Sequence, residues 1–262
     1  METIRSHDNS KIKHIKKLLD DKKYREEHGE YVVEGKRWVI DALAPSINCP
    51  ASNVLGLFIR ESSVEGFAEF IKFAENKIGA ENVFAVADNV FDKVADTGHS
   101  QGVLAILGFK GRLLSWEGSA LYLDRIRDPG NLGTIIRTAV ATGFNHIYLD
   151  NCADVYSPKV VRSTMGALLK ADICKPLETT IEVLNFRGYQ IFAADMNGEN
   201  IFTLSEKPEK ICLIIGSEAD GIRPELLKLA DKIVSIPMQN TESLNAAVAA
   251  GILMYQLKTN NE

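Results

Sequence analysis

In the second half of the chain, short and mainly apolar runs alternate with segments that have helical periodicity. The runs cover residues 121–124, 146–149, 190–194, 211–215 and 232–236. A strand that is apolar along most of its length is typical of a parallel sheet covered by helices on both faces. This pattern predicts an α/β domain with a parallel sheet. Its helices are expected at 134–142, 160–168, 180–186, 224–230 and 244–256.

The first half predicts a smaller α/β domain. Residues 108–118 are short, polar and contain three glycines, which indicates a linker. We therefore predict one domain over 1–108, a linker at 109–118 and a second domain over 119–262. A fragment that begins near residue 113 is expected to fold alone. The first domain's strands are expected at 30–34, 54–59, 82–86 and 101–107, with helices from 9 or 10 to 25, at 37–43 and at 64–78.

Composition narrows the class of protein. The 262 residues are 45% hydrophobic and carry a net charge of -5, which is typical of globular chains. No run approaches the ~20 apolar residues that a bilayer span needs, so we expect a cytoplasmic protein without a membrane contact. The four cysteines form no Cys-x-x-Cys pair, which argues against a zinc ribbon or a disulfide framework, and we expect no metal.

Residues 1–25 are locally basic, with eight Lys or Arg against four acids. Lysines that neutralise phosphates release counterions, so such a segment on an acidic body is a candidate nucleic-acid contact. A solvated helix face explains the same charges. The charge pattern alone leaves both interpretations open.

Three polar or glycine-rich segments follow apolar strands of the second half, where parallel sheets bind ligands. Taken singly, the first two are explained equally well as structural turns, and the third as a plain capped helix. In the second segment Gly216 is expected to let the backbone approach a ligand, and in the third Ser243 is expected to cap a helix. The segments are Asp128-Pro129-Gly130-Asn131-Leu132-Gly133 with Arg137, Gly216-Ser217-Glu218 with Gly221-Ile222, and Ile236-Pro237-Met238 with Ser243-Leu244-Asn245.

In this order the three segments resemble the signature motifs of the SpoU (TrmH) family of RNA ribose 2′-O-methyltransferases, within the SPOUT superfamily. The similarity extends from about residue 120 to 257, and residues 31–35 and 101–105 resemble the family's substrate-binding domain. The chain departs from the family at Ala219-Asp220, where relatives often have Gly-Gln or Gly-Arg. It departs again at Ala246-Ala247, where they often have Val-Ser.

The resemblance implies a trefoil-knotted methyltransferase domain that uses S-adenosylmethionine (AdoMet), a homodimer, and an RNA substrate, with rRNA favoured over tRNA. It assigns catalysis to Arg137, Asn131, Glu218 and Asn245. A guanidinium is a poor base at neutral pH, so we expect Arg137 to stabilise a developing alkoxide instead. The residues that the resemblance assigns to the cofactor are Gly216, Ser217, Ile236, Met238, Ser243, Leu244 and Asn245.

Two other classes of protein are compatible with parts of the sequence. A non-catalytic RNA-binding protein that retains the fold is one alternative, although the intact polar residues of the motifs argue against it. A nucleotide-dependent dehydrogenase is suggested only by the glycine turn at 130–133, which lacks the Gly-x-Gly-x-x-Gly fingerprint. Methylation of tRNA instead of rRNA also stays open.

Overall fold

The computed structural model of the chain describes residues 1–44, 54–95, 100–109, 118–204, 208–241 and 243–258. They form two compact units, one of Met1–Gly111 with Tyr156–Leu169 and one of Arg112–Val155 with Lys170–Glu262. The predicted linker at 109–118 falls almost wholly outside the described residues. The first elements are β1 (Glu2–Ile4), α1 (Ser10–Asp20), α2 (Lys22–His28), β2 (Glu30–Glu34), α3 (Lys36–Leu43), β3 (Val54–Arg60), α4 (Ala68–Ile78), β4 (Val83–Val86), α5 (Asp88–Phe91) and β5 (Val103–Gly108). They are followed by β6 (Ala120–Asp124), α6 (Pro129–Thr142), β7 (His146–Asp150), α7 (Pro158–Ser163), β8 (Asp172–Cys174), α8 (Thr180–Phe186), β9 (Gln190–Asn200), β10 (Ile211–Ile215), α9 (Pro224–Leu227), β11 (Lys232–Ser235) and α10 (Ala246–Leu257).

The first unit is built on a mixed sheet of five strands in the order β1-β4-β3-β5-β2. Strands β1, β4 and β3 run parallel, whereas β5 is antiparallel to both β3 and β2. The apolar stripe of α1 is buried in the core of this unit through Ile12, Ile15 and Leu18. The α/β interpretation of the first half is therefore confirmed, with β1 as an additional strand that the pattern did not predict.

The predicted N-terminal helix is two helices, with a corner at Asp21. The Asp21 carboxylate accepts hydrogen bonds from the backbone N–H groups of Lys23 at 2.8 Å and Tyr24 at 3.2 Å, so it caps α2. Arg25 is buried and donates to the carbonyl of Leu19 at 3.0 Å, at the end of α1. Buried carbonyls at a helix end need donors, so Arg25 stabilises the corner and is not part of a solvated basic face.

Much of the local positive charge is paired within the first unit. Lys13 lies 2.8 Å from Asp8, Lys22 lies 3.7 Å from Glu26 and Lys23 lies 3.6 Å from Glu27. We refer to Lys13, Lys22 and Lys23 as the paired lysines. Lys16 and Lys17 form no ion pair with any described residue, although the Lys17 ammonium lies 5.1 Å from the centre of the Tyr24 ring. The charge available to an external phosphate is therefore smaller than the sequence indicates.

The second unit is built on six parallel strands in the order β11-β9-β10-β6-β7-β8. Strands β6 and β10 are buried along their whole length, as the continuous apolar runs predict. Because β6 and β10 are parallel neighbours, the loops that follow them begin at the same edge of the sheet. The parallel α/β prediction is confirmed, whereas the knot stays a prediction.

The segment Tyr156–Leu169 leaves the second unit after β7 and forms part of the first unit. The Tyr156 ring stacks on Phe109 with centroids 3.9 Å apart, and Val160 and Val161 of α7 are buried. The sequence boundary at residue 119 placed this segment in the second domain. The compact units place it in the first, because its apolar side chains pack there. A fragment that begins near residue 113 would expose them, so its independent folding no longer follows.

Membrane-spanning and metal-binding features are absent from the described ranges. None of the helices there has the length and apolar character needed to cross a bilayer. Nor does that part of the chain bring together three or more His, Cys, Asp or Glu side chains in a way that suits a metal ion.

Candidate active site

The first motif begins helix α6. The helix starts at Pro129, well before the predicted residue 134, and Asp128 caps it by accepting a hydrogen bond from the Asn131 backbone N–H at 2.7 Å. Proline suits the first helical position, since its nitrogen has no hydrogen to leave unpaired there. Asn131 therefore lies in the first turn of a helix and not in a loop, which fixes the direction of its side chain.

Asn131, Glu218 and Asn245 come from the three different motifs and are joined by their side chains. The Asn131 amide nitrogen donates to a carboxylate oxygen of Glu218. The Asn245 amide nitrogen donates to the Asn131 side-chain oxygen at 2.9 Å. The fold thus brings together three of the four predicted catalytic residues. Asn131 and Glu218 alone are 87 positions apart in sequence.

Asn245 also determines where α10 begins. Its side-chain oxygen accepts hydrogen bonds from the backbone N–H groups of Ala247 at 2.9 Å and Val248 at 3.3 Å. The expectation that Ser243 caps this helix is wrong, because the helix starts later, at Ala246. Asn245 thus caps α10 through one side-chain atom and holds Asn131 through the other.

Gly216 begins a tight turn after β10. A side chain on Gly216 would collide with the backbone of Gly221 and Ile222, and Ser217 pairs with Gly221 across the turn. We expected glycine here because a ligand approaches the backbone. The structure shows that the close neighbour is the protein's own chain, so the glycine is required for the turn itself.

A cavity of about 180 Å³ lies at this edge of the sheet. Of the residues predicted to contact the cofactor, all but Asn245 line it. The walls are largely apolar, with serines and two carboxylates among them. The lining residues are Ala194, Asp195, Met196, Ile215, Gly216, Ser217, Glu218, Gly221, Val234, Ser235, Ile236, Met238, Ser243, Leu244, Ala246, Ala249 and Leu253.

One wall of the cavity comes from a segment that the sequence analysis did not single out. The pairing of β11 with β9 jumps from Ala193 to Glu199, so the residues between them leave the regular ladder. Ala194, Asp195 and Met196 of this excursion line the cavity. A sequence signal existed, because Asp195 is a polar residue directly after an apolar run, as in the three motifs.

A group of charged side chains lies at the same edge of the sheet, beside the second motif. Asp124, at the end of β6, is fully buried, and the Arg223 Nε lies 2.9 Å from its Oδ1. Arg223 also pairs with Asp150, which accepts a hydrogen bond from the Tyr122 hydroxyl at 2.8 Å. Burial, and then the bond to Asp150, raises the pKa of Tyr122. Burial alone would lower the pKa of Arg223, but the charges of Asp124 and Asp150 raise it.

Arg137 is set apart from the other predicted catalytic residues. It is exposed on α6 and forms no hydrogen bond or ion pair within the described part of the chain. Six positions separate it from Asn131, which places the two side chains on different faces of the helix. Its charge is therefore available to a group from outside this chain.

Comparisons with known proteins match both halves of the chain. A family model described as the SpoU rRNA Methylase family matches residues 118–255, and one described as an MRM3-like substrate binding domain matches residues 9–105. The 23S rRNA (guanosine(2553)-2'-O)-methyltransferase RlmP of Bacillus subtilis is 29% identical over 98% of this chain and 100% of its own length. An uncharacterized tRNA/rRNA methyltransferase of Synechocystis sp. is 30% identical over 98% of this chain and 93% of its own.

Two solved structures match nearly all of the chain. The AdoMet-bound rRNA methyltransferase from Sinorhizobium meliloti is 29% identical, with a TM-score of 0.84 over 98% of this chain and 97% of its own. The SpoU methyltransferase AviRb from Streptomyces viridochromogenes, in complex with AdoMet, is 25% identical, with a TM-score of 0.78 over 95% of this chain and 97% of its own. With both of its units matched and its three motifs assembled at one sheet edge, the chain belongs to the SpoU rRNA methylase family.

Proposed function

We propose that the protein transfers a methyl group from AdoMet to a ribose 2′-hydroxyl of ribosomal RNA. The observation that carries the proposal is the convergence of Asn131, Glu218 and Asn245, one from each motif, beside a cavity lined by the predicted cofactor residues. The relatives named as 23S rRNA and AdoMet-bound rRNA methyltransferases support this reaction and this class of RNA.

The cavity has the chemistry that AdoMet requires. Aliphatic walls from Ile236, Leu244 and Leu253 suit an adenine ring, and the carboxylates of Asp195 and Glu218 suit a ligand that carries positive charge. When bound, AdoMet supplies an electrophilic methyl group on a sulfonium. Ser217, Met238 and Ser243 complete the set that we assign to its binding.

The remaining motif residues serve the RNA. Asn131 is held between Glu218 and Asn245, so its position is fixed before a substrate arrives, and alignment of this kind supplies several kcal/mol of rate enhancement. Arg137 is free to approach a ribose or phosphate, and we assign to it the stabilisation of the negative charge that develops on the 2′-oxygen.

We further propose that two copies of the chain associate through α10. Val248 and Tyr255 lie two turns apart on one face of this apolar helix, and they are 51% and 59% exposed. Paired against a second copy, this face would remove both side chains from water. Light scattering at micromolar concentration is expected to give a dimer, and Tyr255→Glu is expected to give a monomer. A wild-type monomer would contradict the assignment.

The first unit and its N-terminal helices are assigned to RNA binding, with Lys16 and Lys17 as the phosphate contacts. This assignment follows from the match to a substrate-binding domain and from the pairing of the other lysines. The ribosomal substrate and the bacterial relatives favour a cytoplasmic location.

Methyl transfer to defined RNA tests the proposal. Ribosomal RNA from cells that lack the gene is incubated with the protein and methyl-labelled AdoMet, and the modified ribose is mapped by mass spectrometry. Arg137→Ala is expected to lower transfer by orders of magnitude, with AdoMet affinity within a few-fold of wild type. Label found on tRNA alone would show that the substrate is tRNA and not rRNA. Failure to bind AdoMet would refute the reaction.

A further inference from the structure

The loop that carries Glu218 is held at both of its ends. At its start, Ser217 pairs with Gly221, whose backbone N–H donates to the Ser217 carbonyl at 3.0 Å. At its end, the Arg223 backbone N–H donates to Oδ2 of Asp124 at 2.9 Å. Glu218 lies between these two points, so its position depends on both of them.

Arg125 supports the same loop from the side. Its side chain lies 3.4 Å from the Asp220 carboxylate and donates to the Gly221 carbonyl at 3.2 Å. A third nitrogen of Arg125 donates to Oδ1 of Asp124 at 3.2 Å. Asp124 is therefore the common partner of Arg125 and Arg223, and each of these arginines contacts or belongs to the loop.

Carboxylates outnumber guanidinium groups in this cluster, because Asp220 also lies 3.4 Å from Arg125 and Glu225 lies 3.8 Å from Arg223. The carboxylates of Asp124 and Asp150 face the guanidinium groups of Arg125 and Arg223. Asp124 is fully buried and contacts both arginines, so replacing it with Asn removes the charge that the two guanidinium groups share and leaves them held only by more exposed carboxylates. The arginines would move towards water and would draw the end of the loop with them.

We propose that Asp124 is a positioning residue for methyl transfer, which acts by holding the loop that places Glu218 against Asn131. This inference rests on the proposed function for its kinetic part only. It differs from a general stabilising role, because its effect on the reaction passes through one named side chain.

A double-mutant cycle measures that dependence. At saturating AdoMet, Asp124→Asn is expected to lower kcat on rRNA by at least about tenfold in the wild-type background and by less than about twofold in the Glu218→Gln background. Asp172→Asn removes the same charge from β8, away from the loop, and is expected to leave kcat within twofold in both backgrounds. Equal losses for Asp124→Asn in the two backgrounds would overturn the inference.

Hydrogen exchange supplies a readout that does not depend on activity. Amides of residues 216–223 are expected to exchange faster in Asp124→Asn than in wild type, while Asp172→Asn leaves them unchanged. Unchanged exchange in Asp124→Asn would overturn the inference, whether or not the protein is active on RNA. Inactivity of the wild-type protein on RNA would refute only the proposed function. If Asp124→Asn fails to fold, Arg223→Lys, which keeps the charge but loses the forked contact, is expected to show both effects, and their absence would overturn the inference.

Discussion

Asn245 offers a test in which helix stability and catalysis can be separated. Its oxygen caps α10 and its nitrogen holds Asn131 at 2.9 Å. Asn245→Ala removes both contacts. Loss of the cap costs about 1 kcal/mol, and loss of the hydrogen bond costs about 1 kcal/mol more, so we expect the free energy of unfolding to fall by about 2 kcal/mol.

Asn245→Asp keeps the cap but cannot donate to Asn131. Aspartate is also favoured at a helix N-terminus by the helix dipole, which offsets part of the lost hydrogen bond. We expect its free energy of unfolding to lie within about 1 kcal/mol of wild type. Methyl transfer should nevertheless fall at least about tenfold, because Asn131 loses one of its two restraints and a second carboxylate approaches Glu218.

Urea unfolding followed by circular dichroism gives the stabilities, and labelled-AdoMet transfer to rRNA gives the activities. Asn245→Ser is the matched control, since its hydroxyl caps a helix without adding charge and is too short to reach Asn131 as the amide nitrogen does. Full activity in Asn245→Asp and Asn245→Ser would refute the reasoning about Asn131. A loss below about 0.5 kcal/mol in Asn245→Ala would refute the cap.

Three further outcomes are expected. Gly216→Ala should destabilise the protein by about 1–3 kcal/mol in urea unfolding, because the Cβ of the alanine overlaps the backbone at 221–222. Unchanged stability together with lost AdoMet binding would instead support a direct contact between Gly216 and the ligand. Replacing Lys16 and Lys17 together by Gln should reduce the slope of log binding constant against log salt concentration for RNA by about 1.4, and replacing the paired lysines should reduce it less. The reverse order in filter-binding titrations would contradict the assignment. Burial and the nearby carboxylates raise the pKa of the Cys152 thiol to about 12, so the thiol stays protonated at pH 8.5. Its alkylation by iodoacetamide at that pH should be on the order of a thousandfold slower than that of a free cysteine. Labelling of Cys152 at the rate of a free cysteine, read by mass spectrometry, would refute this.

The sequence predicted the edge of the sheet well, because one rule governs it. Polar residues that directly follow buried strands meet where parallel strands end, and this rule located the segments that hold Asn131, Glu218 and eight of the seventeen residues that line the cavity. The same rule applied to the strand at 190–194 would have found Asp195. Asp195 lies outside the three motifs, so the family resemblance did not single it out.

Other features could not be read from local pattern. Asp21 lies within a continuous helical periodicity, and the corner there depends on its capping bonds to α2 and on the buried Arg25. Pro129 was interpreted as part of a turn, although with Asp128 before it the same residue starts a helix. The pairing of Asp124 with Arg223 joins residues 99 positions apart, so it depends on strand order.

The return of Tyr156–Leu169 to the first unit has a consequence for synthesis on the ribosome. The first unit cannot complete its packing when its own strands have emerged, because the segment that covers Tyr31 and Phe109 is translated only after β6, α6 and β7. Until then its uncovered surface must coexist with a nascent, half-formed second sheet. The packing of the first unit is therefore completed only during synthesis of the second, and a translational pause after residue 111 would leave Tyr31 and Phe109 without their Tyr156 contact.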